Sequence, residues 1–138
     1  SKVKVEINYA RDLYDTEMFG KMDPYVKVRL GQKKKFKTDV KKDVGRNPEF
    51  YETTKFKYDS EPEISFEVWD KDTFSSDDFV GSARVSMASI VKHGKWQGDL
   101  ILYRDGAHKA GTLNVTIKLE TPSASNTASS TPTTTPTV

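Results

Sequence analysis

The stretch from residue 111 to residue 119 reads Gly-Thr-Leu-Asn-Val-Thr-Ile-Lys-Leu, with apolar and polar side chains in strict alternation from residue 113 onward. Successive side chains of a β-strand point to opposite faces, so this pattern predicts a strand with one face in a core and the other in water. Residues 3–9 alternate in the same way near the other end of the chain. The two segments together predict a sheet protein whose first and last strands each bury one face.

Six further segments have strand patterns bounded by turn-forming residues: 26–30, 33–40, 51–57, 63–69, 79–85 and 97–103. Residues 86–92 have room for one helical turn, and no long amphipathic helix is recognisable. Short strands separated by turns are typical of an antiparallel sandwich. We therefore predict an all-β protein, an eight-stranded antiparallel Greek-key β-sandwich.

The composition divides the chain into two parts. Residues 1–121 mix apolar and charged side chains and are long enough for one folded domain. Residues 122–138 are mostly Ser, Thr, Pro and Ala, which cannot bury enough surface to offset chain entropy, so we predict a disordered tail or linker there. The chain has no cysteine, which excludes a disulfide, a thiolate zinc site and a cysteine nucleophile within it. With no recognisable nucleophile–base pair or phosphate-binding loop, we expect no enzymatic activity.

Two predicted loops are densely acidic. The first, residues 12–23, contains Asp12, Asp15, Glu17 and Asp23, and the second, residues 70–78, contains Asp70, Asp72, Asp77 and Asp78. Carboxylates this close repel one another and are commonly neutralised by a cation. Because every candidate donor is an oxygen in a flexible loop, the chemistry favours Ca²⁺ over Mg²⁺.

Acidic loops also occur in EF-hands, in glycosidase active sites and on ordinary solvated surfaces. An EF-hand fails, because loop positions six and twelve counted from Asp70 hold Ser75 and Gly81 instead of Gly and Glu. A carboxylate pair for glycoside hydrolysis is compatible with the residue types alone. Plain solvated acidic loops also remain open at this point.

A basic set lies on two neighbouring predicted strands. Its members, all on the polar phase, are Lys27, Arg29, Lys35 and Lys37. If the strands pair, the set forms one positive patch able to bind anionic lipid, phosphoinositide head groups or nucleic acid. Interleaved aromatic residues of the kind that single-strand binders use are sparse, so we expect no nucleic-acid partner. A solvated lysine face explains the set equally well.

Large apolar residues occupy the acidic loops. Met18 and Phe19 lie at the tip of the first loop and Phe74 at the tip of the second. Insertion into a bilayer interface would explain such residues among carboxylates, and local packing across the loops is the alternative.

Three segments resemble the C2 family of Ca²⁺-dependent phospholipid-binding domains. They are Ala10-Arg-Asp-Leu with Gly20-Lys-Met-Asp-Pro-Tyr-Val-Lys-Val28, Asn47-Pro-Glu-Phe-Tyr-Glu-Thr53, and Phe66-Glu-Val-Trp-Asp-Lys-Asp72 with Asp78-Phe-Val-Gly81. The resemblance covers residues 3–119 in register. The first signature strand stands near the start and a strand follows the seventh, an order that resembles the type II topology of the family.

The resemblance implies which residues bind two or three Ca²⁺ ions. The carboxylate ligands would be Glu17, Asp23, Asp70, Asp72 and Asp78, with the Ser75 hydroxyl and the backbone carbonyls of Thr16, Met22 and Lys71 as further donors. Glu17 stands where Asp is usual, and Asp15 is close enough to take its place. Lys27, Lys35 and Lys37 match the basic groove that binds phosphoinositides in some members.

The resulting hypothesis is a Ca²⁺-gated membrane module. It predicts a monomeric cytoplasmic protein recruited to the inner face of membranes when Ca²⁺ rises, binding phosphatidylserine and, through the lysines, phosphoinositide. The alternative is an adaptor with a structural Ca²⁺ site whose tail recruits a protein partner.

Overall fold

The computed structural model describes residues 1–122, and the predicted tail, residues 122–138, lies outside that part apart from Pro122. The elements in chain order are β1 (Lys2–Arg11), β2 (Pro24–Leu30), β3 (Lys34–Lys37), β4 (Glu49–Lys57), β5 (Glu63–Asp70), β6 (Asp78–Ser86), α1 (Met87–His93), β7 (Lys95–Tyr103) and β8 (Lys109–Glu120). All strand pairs are antiparallel. The predicted all-β class is confirmed.

The strands follow the order β3-β2-β5-β6-β7-β8-β1-β4. β6 and β7 meet at the single pair Ser82–Tyr103 within residues 1–122, whereas the other neighbouring strands share long ladders. The eight strands therefore form two four-stranded sheets, β3-β2-β5-β6 (the first sheet) and β7-β8-β1-β4 (the second sheet), joined at a near-open seam. This arrangement confirms the predicted sandwich.

The inner faces of the two sheets share one core. The strands β1, β2, β5 and β8 bury alternate residues over most of their length, as the period-two patterns predict. In β1 a bulge between Ile7 and Tyr9 breaks the alternation, so Ala10 is buried and Tyr9, which the pattern placed on the apolar face, is not. The fully buried members include Val3, Val5 and Ile7 of β1, Val26, Val28 and Leu30 of β2, Ile64, Phe66 and Val68 of β5, and Leu113, Val115 and Ile117 of β8.

The eighth strand follows the seventh and pairs with β1, which is the order expected for type II topology. Lys2 lies opposite Glu120 in this pair, so the two strand ends emerge side by side. The predicted strand at 33–40 is shorter than expected. At Thr38, just past its end at Lys37, the backbone amide still donates to the Val26 carbonyl (2.9 Å), but the Thr38 hydroxyl, instead of its carbonyl, accepts the Val26 amide proton (2.9 Å), so the regular ladder stops there.

One short helix joins β6 to β7, where a helical turn was predicted. The Ser86 hydroxyl accepts the Ala88 amide proton (3.2 Å) to cap its start, and Gly94 ends it in the left-handed conformation with φ of 80°. Within residues 1–122 no helix is both long and apolar enough to cross a membrane.

The antiparallel order brings the two acidic loops to one end of the sandwich. This end, the loop end, holds the last residue of β1 and β5 and the first residue of β2 and β6. Gly111 of β8 passes close beside the start of the first loop with φ of +105°, and a Cβ there would lie 2.6 Å from the Arg11 carbonyl oxygen. Only glycine fits this approach without strain.

Candidate metal centre and basic groove

Four carboxylates converge at the loop end and form the acidic cup. Oxygens of Glu17, Asp70, Asp72 and Asp78 all lie within 4.8 Å of one another. Asp70 ends β5 and Asp78 begins β6, directly opposite it in the ladder, while Glu17 arrives from the first loop. The β-ladder therefore fixes two of the four side chains.

Asp70 is the base of the acidic cup. It is fully buried, with none of its surface exposed. Its Oδ1 accepts the Asp23 amide proton (2.8 Å), and its Oδ2 accepts the Thr16 hydroxyl proton (2.8 Å). One buried carboxylate at the end of β5 thus holds two positions of the first loop, Thr16 and Asp23. Its buried charge requires compensation.

The dimensions of the acidic cup fit Ca²⁺. Calcium–oxygen distances are about 2.3–2.6 Å, so ligands on opposite sides of one ion lie roughly 4.6–5.2 Å apart. The four carboxylate oxygens lie within 4.8 Å of one another, which is close enough to share one such ion. The smaller Mg²⁺, at about 2.0–2.1 Å, demands a tighter octahedron. The all-oxygen donor set suits a hard cation, and its place in flexible loops favours Ca²⁺.

Mutual repulsion shifts two of the four carboxyls toward protonation. A hydrogen bond with Asp70, then burial, then the charges of Asp70, Asp72 and Asp78 raise the pKa of Glu17 to about 7. Burial, followed by a hydrogen bond with Asp78, raises the pKa of Asp72. A cation bound among these carboxylates would favour their charged forms and so oppose both shifts.

Asp23 lies beside the acidic cup and not within the four-carboxylate group. Its Oδ1 accepts the Asp43 amide proton (2.6 Å), and its backbone carbonyl accepts the Lys71 amide proton (3.0 Å). It lines a cleft of about 310 Å³ together with Glu17 and Asp72. In the sequence, Glu17 was the ligand that Asp15 was close enough to replace. In the structure Glu17 belongs to the four-carboxylate group, and Asp23 lines the cleft beside it.

The remaining first-loop candidates have other contacts. Asp15 Oδ1 accepts the Glu17 amide proton (3.0 Å), so Asp15 orients Glu17 and stays outside the group. The Met22 carbonyl accepts amide protons from Val44 (3.2 Å) and Gly45 (3.1 Å), which occupies both of its lone pairs. The contact of Thr16 comes from its hydroxyl, a role that the sequence did not indicate.

The second loop carries Lys71 and Ser75 beside the acidic cup. Both line the same cleft as Asp72, and the Ser75 hydroxyl donates a long bond (3.5 Å) to the Ser76 carbonyl. The Lys71 ammonium lies 3.8 Å from Asp77 Oδ1. Their assignment as metal ligands remains a prediction.

Asp77 and Tyr25 form a contact that sequence reasoning missed. The Tyr25 hydroxyl donates to Asp77 Oδ2, and Asp77 Oδ1 accepts the Asp72 amide proton (3.0 Å). The Tyr25 hydrogen bond holds the pKa of Asp77 below its ordinary value, and burial raises the pKa of Tyr25. This pair anchors the second loop to β2. An aromatic residue on the polar phase of β2 was the available signal.

The predicted basic set forms a groove on the outer face of the first sheet. Lys27 lies directly opposite Lys37, and Arg29 directly opposite Lys35. The four side chains line a cleft of about 370 Å³, the basic groove. Within residues 1–122 none of the four makes an ion pair. Like charges directly opposite destabilise a ladder, so this arrangement favours an anionic ligand.

Aromatic rings lie under two of the groove lysines. The Lys27 ammonium is 4.4 Å from the centre of the Trp69 ring, and that of Lys37 is 5.7 Å from the centre of the Tyr25 ring. Cation–π attraction holds such ammonium groups without neutralising them. Aromatics looked sparse near these lysines in the sequence because Trp69 arrives from β5, which is distant in the chain.

Comparison with known proteins gives consistent matches. The family model described as C2 domain matches residues 1–101. The chain is 30% identical over 101 residues to 16 kDa phloem protein 1 of Arabidopsis thaliana, covering 70% of this chain and 65% of that protein. It is 37% identical over 95 residues to Synaptotagmin-1 of Aplysia californica, covering 64% of this chain and 22% of that protein.

Among solved structures, the calcium-bound tandem C2 domains of extended synaptotagmin 2 share the fold. The TM-score is 0.73 at 22% identity, covering 85% of this chain and 44% of that chain. The chain spans 54% of the length of Elicitor-responsive protein 1 of Oryza sativa subsp. japonica, 65% of 16 kDa phloem protein 1 and 9% of a C2 and GRAM domain-containing protein of Arabidopsis thaliana. A family match over residues 1–101, together with the sandwich and its loops, shows that the chain belongs to the C2 domain family.

Proposed function

We propose that this C2 domain binds Ca²⁺ in the acidic cup and thereby docks on anionic phospholipid membranes. The observation that carries the proposal is the convergence of Glu17, Asp70, Asp72 and Asp78 within 4.8 Å, beside a fully exposed Phe74. Membership of the C2 family and similarity to synaptotagmins support a role in membrane or lipid binding or in signalling.

The charge of the acidic cup is the gate in this proposal. Without a cation, the carboxylates make the loop end negative and repel an anionic membrane, and the raised pKa of Glu17 reflects the same field. When bound, Ca²⁺ supplies positive charge and unfilled coordination positions that lipid oxygens can complete. The chain holds two or three ions in this proposal, with Asp23 and Ser75 completing the donor set of the four carboxylates.

The loop tips add an apolar contribution. Met18, Phe19 and Phe74 are 90%, 87% and 100% exposed, so none of them packs across the loops. Large apolar side chains at a bilayer interface gain free energy roughly in proportion to the area they bury. We propose that they insert once the repulsion of the acidic cup is removed.

The basic groove is proposed to take a phosphoinositide head group. None of its four cations forms an ion pair within the described chain, although Lys27 lies opposite Glu67 in the β2–β5 ladder, and a phosphate would relieve the repulsion between opposed pairs such as Lys27 and Lys37. Each lysine near an anionic surface contributes about 1 kcal/mol. The groove runs along β2 and β3 between the loop end and the β2–β3 turn, so a membrane tilted toward this face would contact both sites.

Liposome co-sedimentation tests the Ca²⁺ part of the proposal. Phosphatidylserine vesicles should retain the protein in Ca²⁺ and release it in chelator, and Asp72→Asn should abolish retention. Phe74→Ala should weaken retention without changing Ca²⁺ affinity measured by calorimetry. Equal retention in Ca²⁺ and in chelator would refute the proposal.

A matched pair of variants tests the basic groove. Lys27→Gln/Lys37→Gln should lower affinity for vesicles containing phosphoinositide by about 30-fold, from about 1 kcal/mol per lysine. The control Lys92→Gln/Lys109→Gln removes the same charge from two exposed positions outside the basic groove and should leave this affinity within about threefold. Equal losses in both variants would show that net charge, and not the basic groove, binds the lipid.

A further inference from the structure

A row of four lysines crosses the outer face of the second sheet, one from each strand. Lys55 of β4 lies opposite Lys4 of β1, Lys4 lies opposite Lys118 of β8, and Lys118 lies opposite Lys95 of β7. Adjacent strands are about 4.8 Å apart, so this lysine row spans roughly 14 Å. It depends on register across four strands and is not visible in any single sequence segment.

Counter-charges neutralise half of the lysine row. Lys4 contacts Glu6 (3.4 Å), and Lys55 contacts Glu120 (3.0 Å). Within residues 1–122, Lys95 and Lys118 make no ion pair although they face each other directly. Like charges opposed in a ladder destabilise it, so the row is a feature that an external anion would stabilise.

The lysine row points away from both sites already described. It lies near the start of β1 and β7 and the end of β4 and β8, at the opposite end of the sandwich from the acidic cup. The basic groove is on the outer face of the first sheet, whereas the row is on the outer face of the second. The outer faces of a sandwich point in opposite directions. A single flat membrane therefore cannot contact the loop end, the basic groove and the lysine row together.

We propose that the lysine row binds the surface of a second anionic bilayer, so that one chain bridges two membranes. The proposal rests on the proposed function for the first membrane, which the loop end engages. The row has the chemistry of a lipid-surface contact: flexible ammonium groups spread over a flat sheet face, next to the further lysines Lys2 and Lys57. It contains no aromatic residue on which nucleic-acid bases could stack.

The test separates the two membranes. Wild-type protein is first bound in Ca²⁺ to a supported phosphatidylserine bilayer, and its density is measured. Free fluorescent phosphatidylserine vesicles are then added and their capture is counted. Each lysine near an anionic surface contributes about a fivefold factor in affinity. Lys95→Gln/Lys118→Gln should therefore reduce vesicle capture at least tenfold at equal protein density.

Two control variants separate charge from shape and position. Lys95→Arg/Lys118→Arg should capture vesicles as the wild-type chain does, because bilayer attraction needs the charge alone. Lys33→Gln/Lys109→Gln removes two exposed lysines outside the row and should keep capture within about twofold. Unchanged capture by the glutamine pair at 95 and 118 would overturn the proposal. Capture that rises with the square of protein density would also overturn it, since two copies would then form the bridge.

A second arm makes the test independent of Ca²⁺ docking. The chain has no cysteine, so Phe74→Cys with a biotin attached there anchors the loop end to a streptavidin surface. Failure of wild-type binding in the first arm would count against the proposed function. Vesicle capture by the anchored chain, made with Lys27→Gln/Lys37→Gln so that the basic groove does not contribute, tests the lysine row alone. No capture by the anchored chain, with binding of poly-glutamate in its place, would overturn the proposal in favour of an acidic protein partner.

Discussion

Replacing Asp70 by asparagine isolates the charge at the base of the acidic cup from its hydrogen bonds. The asparagine oxygen can accept the Asp23 amide proton, and its amide group can donate to the Thr16 hydroxyl, which is able to accept. Both contacts are kept, but each changes from charge-assisted to neutral, a loss of about 1 kcal/mol each. Relief of repulsion on Glu17 offsets part of this loss. Metal-free stability should fall by less than about 2 kcal/mol.

The stabilisation that Ca²⁺ binding adds should fall much further than the metal-free stability. Disturbing groups that only support a ligand already costs about 10–100-fold in metal affinity, so losing a ligand charge should cost at least 100-fold. At a Ca²⁺ concentration 100 times its dissociation constant, the wild-type chain gains about 2.7 kcal/mol. At the same concentration Asp70→Asn should gain about 0.4 kcal/mol. With roughly 3 °C per kcal/mol for a domain of this size, the Ca²⁺-induced shift in Tm drops from about 8 °C to about 1 °C.

Thermal unfolding followed by circular dichroism measures the metal-free stability in chelator and the added stabilisation in Ca²⁺. Asp12→Asn is the matched control, because Asp12 is an exposed carboxylate of the first loop outside the acidic cup. Its φ of 55° is a conformation that asparagine also tolerates. That control should keep the full Ca²⁺-induced shift. A full shift in Asp70→Asn would refute the assignment of Asp70 as a ligand.

Three further predictions concern pH, the second loop and β8. Because the pKa of Glu17 is raised to about 7, Glu17 must lose a proton to bind a cation. The Ca²⁺ affinity should therefore fall as pH drops below about 7 and stay level above it. Calorimetric titration from pH 5.5 to 8 measures this dependence, and an affinity that does not change with pH would contradict it. Because folding raises the pKa of Glu17, its protonated form stabilises the metal-free fold, and this contribution is lost as pH rises from about 4.5 to about 7. Metal-free stability should therefore fall over that range, and Glu17→Gln should flatten the dependence of stability on pH. Tyr25→Phe removes the hydroxyl that donates to Asp77 and should lower the free energy of unfolding in urea by about 1.5–3 kcal/mol. It should also lower Ca²⁺ affinity about tenfold. Unchanged affinity would show that the Tyr25–Asp77 hydrogen bond does not position the second loop. Gly111→Ala places a methyl group 2.6 Å from the Arg11 carbonyl and should destabilise by at least about 2 kcal/mol, with a wild-type midpoint as the contradicting result.

The strands were predictable because burial on one face imposes a period of two that a single segment displays. Residues 3–9 and 111–119 lie in β1 and β8, and Val3, Val5, Ile7, Leu113, Val115 and Ile117 are in the core as expected, whereas the bulge after Ile7 keeps Tyr9 out of it. The opposed pair of Lys27 and Lys37 followed from the same phase argument once β2 and β3 pair. The end of β3 was not predictable, because at Thr38 one of the two bonds with Val26 is made by the side-chain hydroxyl and only the other by the backbone.

The finer contacts of the acidic cup depend on contacts between residues distant in sequence. Nothing in the first loop alone reveals that Asp23 shares an oxygen with the Asp43 amide. Likewise, Tyr25 meets Asp77 only after β2 has paired with β5 and β5 with β6. The sequence supplied the kinds of ligands through residue type and family resemblance, whereas the identity of the four converging carboxylates required the register of the strands.

The pairing of Lys2 with Glu120 also has a mechanical consequence. Because β1 and β8 are antiparallel neighbours whose outer ends coincide, a tension applied across these two ends loads their ladder one hydrogen bond at a time. A ladder peeled in this way yields at lower force than one sheared along its length. The ladder between β1 and β8 should therefore open first under tension, starting at Lys2 and Glu120. The loop end, which holds the carboxylates, lies at the far end of these two strands and bears no load until the hydrogen bonds before it have broken.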